Sequence, residues 1–264
     1  MLNPYLYMIK IKLLLAFNYR AEVWFGLFSK VVLLFASVFF WKAAYMNIDM
    51  VASVDEQQMI VYSILSICLS ALFTVSVEGN IRSRVRMGNV AIDFIKPIKV
   101  FWMYFSEDVG NCITSFMQTV VPILILSAIF IVPPMPASFL YLLLFLLSSV
   151  FSFIILWFMS ALFGLLYFWL IDLGPLGSIK DYIIMILSGS FVPVWLFPEP
   201  IRIVLNFLPF IYTYQHPLSI YIGKISYTEA IFGIGVQLFW VIIFMGIFYV
   251  LKQRVEKNIM VQGG

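Results

Sequence analysis

Long apolar runs alternate along this chain with short polar stretches. Six runs stand out, at about Ala21–Ala44, Met59–Val77, Tyr104–Val132, Phe139–Ile171, Tyr182–Leu196 and Ala230–Leu251. A helix needs about 20 residues to cross the hydrocarbon core of a bilayer. The pattern therefore predicts an all-α polytopic membrane protein with six transmembrane helices. The third and fourth runs are longer than this and are expected to tilt or protrude. The fifth is short and leads into a proline-rich stretch. Ahead of the first run, Leu2, Tyr5, Leu6, Ile9, Leu13, Ala16 and Phe17 recur at helical spacing, with Lys10 and Lys12 flanking the stripe. Residues 1–20 thus read as a helix lying in the interface, its lysines reaching the headgroups. Met8, Ile11 and Leu15 on the other face would pack on protein. The alternative is a plain extension of the first span. That first run is too long for a signal-peptide core and contains Lys30, so no cleaved leader is expected.

Composition supports the membrane assignment. Of 264 residues, 63% are hydrophobic and 11% are charged, and mean hydropathy is +1.04. Soluble domains are about 45–50% apolar and about 25% charged. These values exclude a soluble enzyme, a disordered chain and a secreted disulfide scaffold. A net charge of +3 is too small to imply nucleic acid as a partner. Cys68 and Cys112 both lie in apolar runs and read as packing residues. His216 is the only histidine, which argues against a His-based metal site, and no metal ligands are assigned.

The distribution of charge sets the expected orientation. Twelve Lys and Arg residues fall on one side of the six runs: Lys10, Lys12, Arg20, Arg82, Arg84, Arg86, Lys96, Lys99, Lys180, Lys252, Arg254 and Lys257. Three fall on the other, Lys42, Arg202 and Lys224, and Lys30 lies within a run. The positive-inside rule then places both termini and the 78–99 loop in the cytoplasm. The whole of 1–264 reads as one transmembrane domain in the cell membrane.

Two connecting stretches carry more than topology. Residues 78–99 hold five basic and two acidic side chains, with Arg82, Val85, Arg86, Val90 and Ile92 able to form a short helix broken near Gly88. Either this loop serves only positive-inside retention, or Val85, Val90, Ile92 and Phe94 fill a groove on a soluble subunit while the arginines meet its acidic rim. Residues 187–218 contain Pro193, Pro198, Pro200, Pro209 and Pro217, which forbid one continuous helix. The stretch stays apolar, so 191–218 is expected to fold back as short re-entrant helices on the outer side. The alternative is an ordinary outer loop anchored by aromatic residues such as Trp195 and Tyr212. Glu199 and Arg202, three apart, are placed to pair on one of these helices.

At these two stretches the chain resembles the permease subunits of type-2 ABC exporters. The residues that carry the resemblance are Arg86-x-Gly88 leading to Phe94-Ile95-Lys96-Pro97-Ile98, and Gly189-Ser190-Phe191-Val192-Pro193 leading to Phe197-Pro198 and Leu208-Pro209-Phe210. The resemblance implies an N-terminal interfacial helix, six spans, and a coupling helix between spans two and three. It also implies a fifth span ending in a G-x-x-P element, matched here by Gly189 and Pro193 with one residue more between them and followed by Pro198 and Pro209. Arg82, Arg86, Gly88, Val90, Ile92, Phe94 and Pro97 would then meet an ATPase. It implies that the permease is not an enzyme and carries no cofactor, with ATP and Mg bound by two copies of a separate cytoplasmic ATPase. A second permease, identical or homologous, would complete the path. The chain accordingly lacks a G-x-x-x-x-G-K-[ST] phosphate loop.

Three charged residues fall deep inside spans. Lys30 sits about 13 Å into the first helix, and Glu107 and Asp108 reach a similar depth if the third span begins near Lys99. Such charges find partners or snorkel, so pairing of Lys30 with Glu107 or Asp108 is one expectation and snorkelling the other. The spans are rich in Phe, Met and Leu, which suits an amphipathic or lipid-like cargo such as a drug, a hydrophobic peptide or a lipid. A polysaccharide or teichoic-acid exporter of similar layout and a non-transport intramembrane scaffold are the alternatives. A lipid-modifying enzyme would need a convergent catalytic cluster, and the sequence offers none.

Overall fold

The computed structural model describes residues 4–16, 20–47, 49–88, 99–170 and 176–262. Helices α1 (Pro4–Ala16) and α2 (Arg20–Ala44) precede a small antiparallel hairpin, β1 (Met50–Val51) and β2 (Val54–Asp55). Next come α3 (Glu56–Leu72) and α4 (Val77–Arg86). Helix α5 (Val100–Ser115) continues through a π-helical turn (Phe116–Val120) into α6 (Val121–Phe130). Then follow α7 (Phe139–Leu166), α8 (Leu176–Leu187), a 3-10 turn (Val194–Leu196) and α9 (Glu199–Asn206). A second 3-10 turn (Phe210–Tyr212), α10 (Gln215–Tyr221) and α11 (Tyr227–Gln262) complete the described chain.

Five helical stretches among the described residues are long and apolar enough to cross a membrane: Val23–Ala44, Glu56–Arg86, Val100–Phe130, Phe139–Leu166 and Tyr227–Glu256. The run expected as a fifth crossing takes another form. Helix α8 has 12 residues, about 18 Å of rise, which is too short to cross alone. After it the chain breaks into turns and short helices at the prolines, as the loss of backbone donors requires.

Local chemistry explains the main breaks and starts. Asp55 and Gln58 form a reciprocal cap at the start of α3: Gln58 N–H donates to Asp55 Oδ1 at 2.7 Å and Asp55 N–H to Gln58 Oε1 at 3.1 Å. The π turn lies just before Pro122, which cannot donate to the preceding turn and whose ring crowds its carbonyl. A widened turn there keeps the third span continuous.

Helix α3 is the most enclosed of the long helices, while α2 buries mainly Leu34, Val38 and Trp41 on one side. Exposed Trp24, Phe25, Phe28, Phe39 and Phe40 on α2 are the apolar surface that lipid solvates. The N-terminal helix α1 packs along α5, where the Tyr5 hydroxyl accepts the Lys99 N–H at 3.2 Å. The stripe read as lying in the interface thus meets protein at Tyr5 and Ile9, the latter beside Gly110 of α5, and Met8 joins the same packing.

Candidate functional site

Helix α4 is set at its start by a borrowed carboxylate. Asp108 of α5 is fully buried, and its Oδ1 accepts both the Ser76 N–H at 2.9 Å and the Ser76 hydroxyl. A carboxyl oxygen at this position satisfies a backbone donor that α4 itself leaves free. One turn further on, Asn80 donates to Glu107 Oε2 at 3.3 Å, and the same oxygen lies 3.7 Å from Lys12 Nζ. Arg84 and Arg86 occupy the last turn of α4, where cations suit the dipole. Gly88, with φ 69°, closes that end.

The opposite face of α4 is bolted to α8. Lys180 donates to Glu78 Oε2 and, at 3.3 Å, to the Ser160 hydroxyl, with Asp181 Oδ1 at 3.0 Å. The Lys180 side chain is 5% exposed and that of Glu78 14%, so this pair is shielded from water. The Arg82 guanidinium lies over the Tyr167 ring, 5.7 Å from its centroid. A cavity of about 430 Å³ opens beside the pair, lined by Arg82, Lys180, Ser160, Ser70, Ser190 and Tyr214. It links α4 to the broken stretch after α8.

That broken stretch is pinned from within. The Tyr62 hydroxyl donates to Gly189 O at 2.6 Å and lies 2.9 Å from Gln215 Oε1, which also accepts the Val194 N–H at 3.0 Å. Gln215 N–H returns to Ser188 O at 2.9 Å, and Ser66 donates to Ser190 O at 2.5 Å. Gly189 has φ 81°, and a Cβ there would lie 2.4 Å from Gln215 Oε1, so the position admits only glycine. Buried Gln237 of α11 donates to Tyr212 O at 2.8 Å and to Ser148 O at 3.1 Å, tying the last helix to α7 and to the second 3-10 turn.

A second cavity, about 480 Å³, lies between α9, α10 and α11. Glu199, Arg202, Trp195, His216, Lys224 and Glu229 line it. Lys224 sits over the Trp195 ring at 4.7 Å and donates to Ala52 O, and burial lowers its pKa. The ring of His216 presses on Gly233, where a Cβ would lie 2.0 Å from His216 Cε1.

The model of the ABC-2 family transporter protein family matches residues 31–258. The chain belongs to this ABC-2 transporter family. No curated protein matches it in sequence. Family membership and the apolar helices make it a multi-pass membrane permease, a transmembrane transport component of an ABC transporter that works with an ATPase partner.

Several expected site residues of this ABC-2 permease lie elsewhere than anticipated. Lys30 meets neither Glu107 nor Asp108: its Nζ donates to Ser70 Oγ at 3.4 Å, while the two carboxylates are taken by α1 and by the start of α4. Glu199 and Arg202 do not pair, although they share α9. Arg82 and Arg86 lie on α4, which prolongs the second span beyond the break at Phe73–Ser76 and so is more than a loop. Val90, Ile92, Phe94 and Pro97 lie outside the described residues. Gly189, Pro193, Pro198 and Pro209 all fall at breaks between short elements. Neither the Glu78–Lys180 pair nor the Tyr62–Gln215 contact has a signal in the sequence. Their partners are 102 and 153 positions apart.

Proposed function

We propose that this chain is the transmembrane subunit of an ATP-driven exporter. ATP and Mg are bound and consumed on two copies of a cytoplasmic ATPase, and this subunit is not an enzyme. It pairs with a second permease, identical or homologous, and the cargo passes between them. The cargo is amphipathic or lipid-like: a drug, a hydrophobic peptide or a lipid. The excess of Lys and Arg on one side supports cytoplasmic termini and a cytoplasmic α4 in the cell membrane. Helix α8 and the broken stretch after it complete a sixth crossing, with 191–218 re-entering from the outer side. Backbone broken at that depth is tolerated because Tyr62, Gln215 and Ser66 satisfy it inside the protein.

The observation that carries this reading is the buried ion pair between Glu78 of α4 and Lys180 of α8. Arg82, Arg86, Gly88, Val90, Ile92, Phe94 and Pro97 form the surface that meets the ATPase. Closure of the ATPase moves α4, and a short shielded pair transmits that movement to α8 and the Gly189 element with little slack. The test is co-purification with the ATPase and transport of a fluorescent amphiphile in vesicles. Val90→Asp places an unpaired charge in the contact and is expected to abolish coupled transport while leaving insertion intact. Normal transport by that variant would remove the coupling assignment. ATP hydrolysis by the chain purified without any ATPase would remove the division of labour.

A further inference from the structure

The third and fourth spans follow one another in sequence but part company in the fold. Helix α6 packs on α3, whereas α7 packs on α4, α10 and α11. A third cavity, about 400 Å³, fills the space between them. Leu65 and Leu69 of α3, Phe116 and Val120 of the π-helical turn, and Phe145 and Leu146 of α7 form its walls. No charged residue lines it. The wall formed by the π-helical turn is a distortion frequent at functional sites.

The two ways into this space differ. The Pro133–Met135 segment, which joins the two spans at the membrane boundary, lies across one end. It is tied down there, because the Tyr221 hydroxyl donates to Pro134 O at 2.6 Å and Ala137 N–H to Tyr221 O at 3.1 Å. The flank is open instead. Phe116, Ala128 and Leu146 line the cavity and are also exposed on the outside of the two spans. That outside faces hydrocarbon when the spans cross a bilayer.

The chemistry of the walls selects what fills the space. Water is not held by a cavity without polar partners for it. An empty cavity leaves its lining atoms without contacts on one side. Hydrocarbon avoids both losses and is the phase at the open flank. We propose that this cavity holds an acyl chain of a membrane phospholipid, which enters sideways from the bilayer between α6 and α7. The headgroup stays outside, because no charged side chain lines the cavity to receive it. A lipid held by its tail alone does not pass through, so it is a resident component and not the cargo. The site stands apart from the exporter reading, because its assay needs neither an ATPase nor transport.

The test is photolabelling of the purified chain in phosphatidylcholine vesicles. The probe is a phosphatidylcholine with a diazirine midway along one acyl chain, and mass spectrometry locates the adducts. Leu65 and Leu69 are 6% and 4% exposed, so bulk lipid does not reach them and adducts on them report the cavity. Leu143 and Leu147 are exposed on α7 outside the cavity and report the ordinary lipid contact. The wild-type chain is expected to carry adducts on both pairs. Ala128→Trp fills the open flank from an exposed position and is expected to lose the adducts on Leu65 and Leu69 while keeping those on Leu143 and Leu147. Leu146→Trp closes the flank from the α7 side and keeps the test alive if Ala128→Trp folds poorly. Wild-type adducts confined to Leu143 and Leu147 would overturn the site. Adducts on Leu65 and Leu69 that persist in the folded variants would overturn the sideways entry. Labelling of Leu65 and Leu69 by a diazirine-bearing alkane but not by the phospholipid would overturn the phospholipid as the occupant.

Discussion

The two ends of the molecule treat their charges in opposite ways. At the α4 end each of three acids engages a neighbour: Glu78 meets Lys180, Glu107 meets Asn80 and Lys12, and Asp108 meets Ser76 through Oδ1. At the α9 end Glu199 and Arg202 share a short helix and leave each other alone, and an imidazole nitrogen is buried without a partner. A paired charge in low dielectric holds two elements at one distance, because separating it exposes both members. An open charge holds nothing together but keeps its capacity for a ligand. The α4 end therefore has the chemistry of a joint, and the α9 end does not.

The largest effect is expected from opening the joint. Lys180→Met strands Glu78 beside an apolar side chain and should cost about 3–5 kcal/mol. Lys180→Met combined with Glu78→Gln should recover most of this, because no charge is left uncompensated. Thermal unfolding of the three variants in one detergent measures it, and strictly additive losses would mean that the pair carries no coupling.

The smallest effect sharpens the contrast within the α4 end. Lys12 and Glu107 lie 3.7 Å apart with side chains 32% and 19% exposed. Water and salt screen such a pair, so Lys12→Gln should cost less than about 1 kcal/mol. A loss as large as that of Lys180→Met would mean that α1 also belongs to the joint.

Much of this architecture was legible before any coordinates. The positions of the long helices, the breaks at Gly189, Pro193, Pro198 and Pro209, and the family resemblance all followed from local pattern. The pairing of the polar residues did not. Depth alone makes Glu107 or Asp108 a partner for Lys30, with snorkelling the alternative, yet its side chain donates to Ser70 of α3. Glu199 and Arg202 had helical spacing suited to a pair, yet they do not pair. Glu78 and Lys180 counted only toward the charge balance of their loops.

By itself the sequence determined that the chain is built of apolar helices and where those helices break. Each helix satisfies its own backbone hydrogen bonds, so the hydropathy of a 20-residue window and the position of a proline decide the matter locally. The tertiary structure alone decided which charges close a joint and which remain open. That choice depends on the rotation and packing of helices far apart in the chain, and on which side chains they then shield from water.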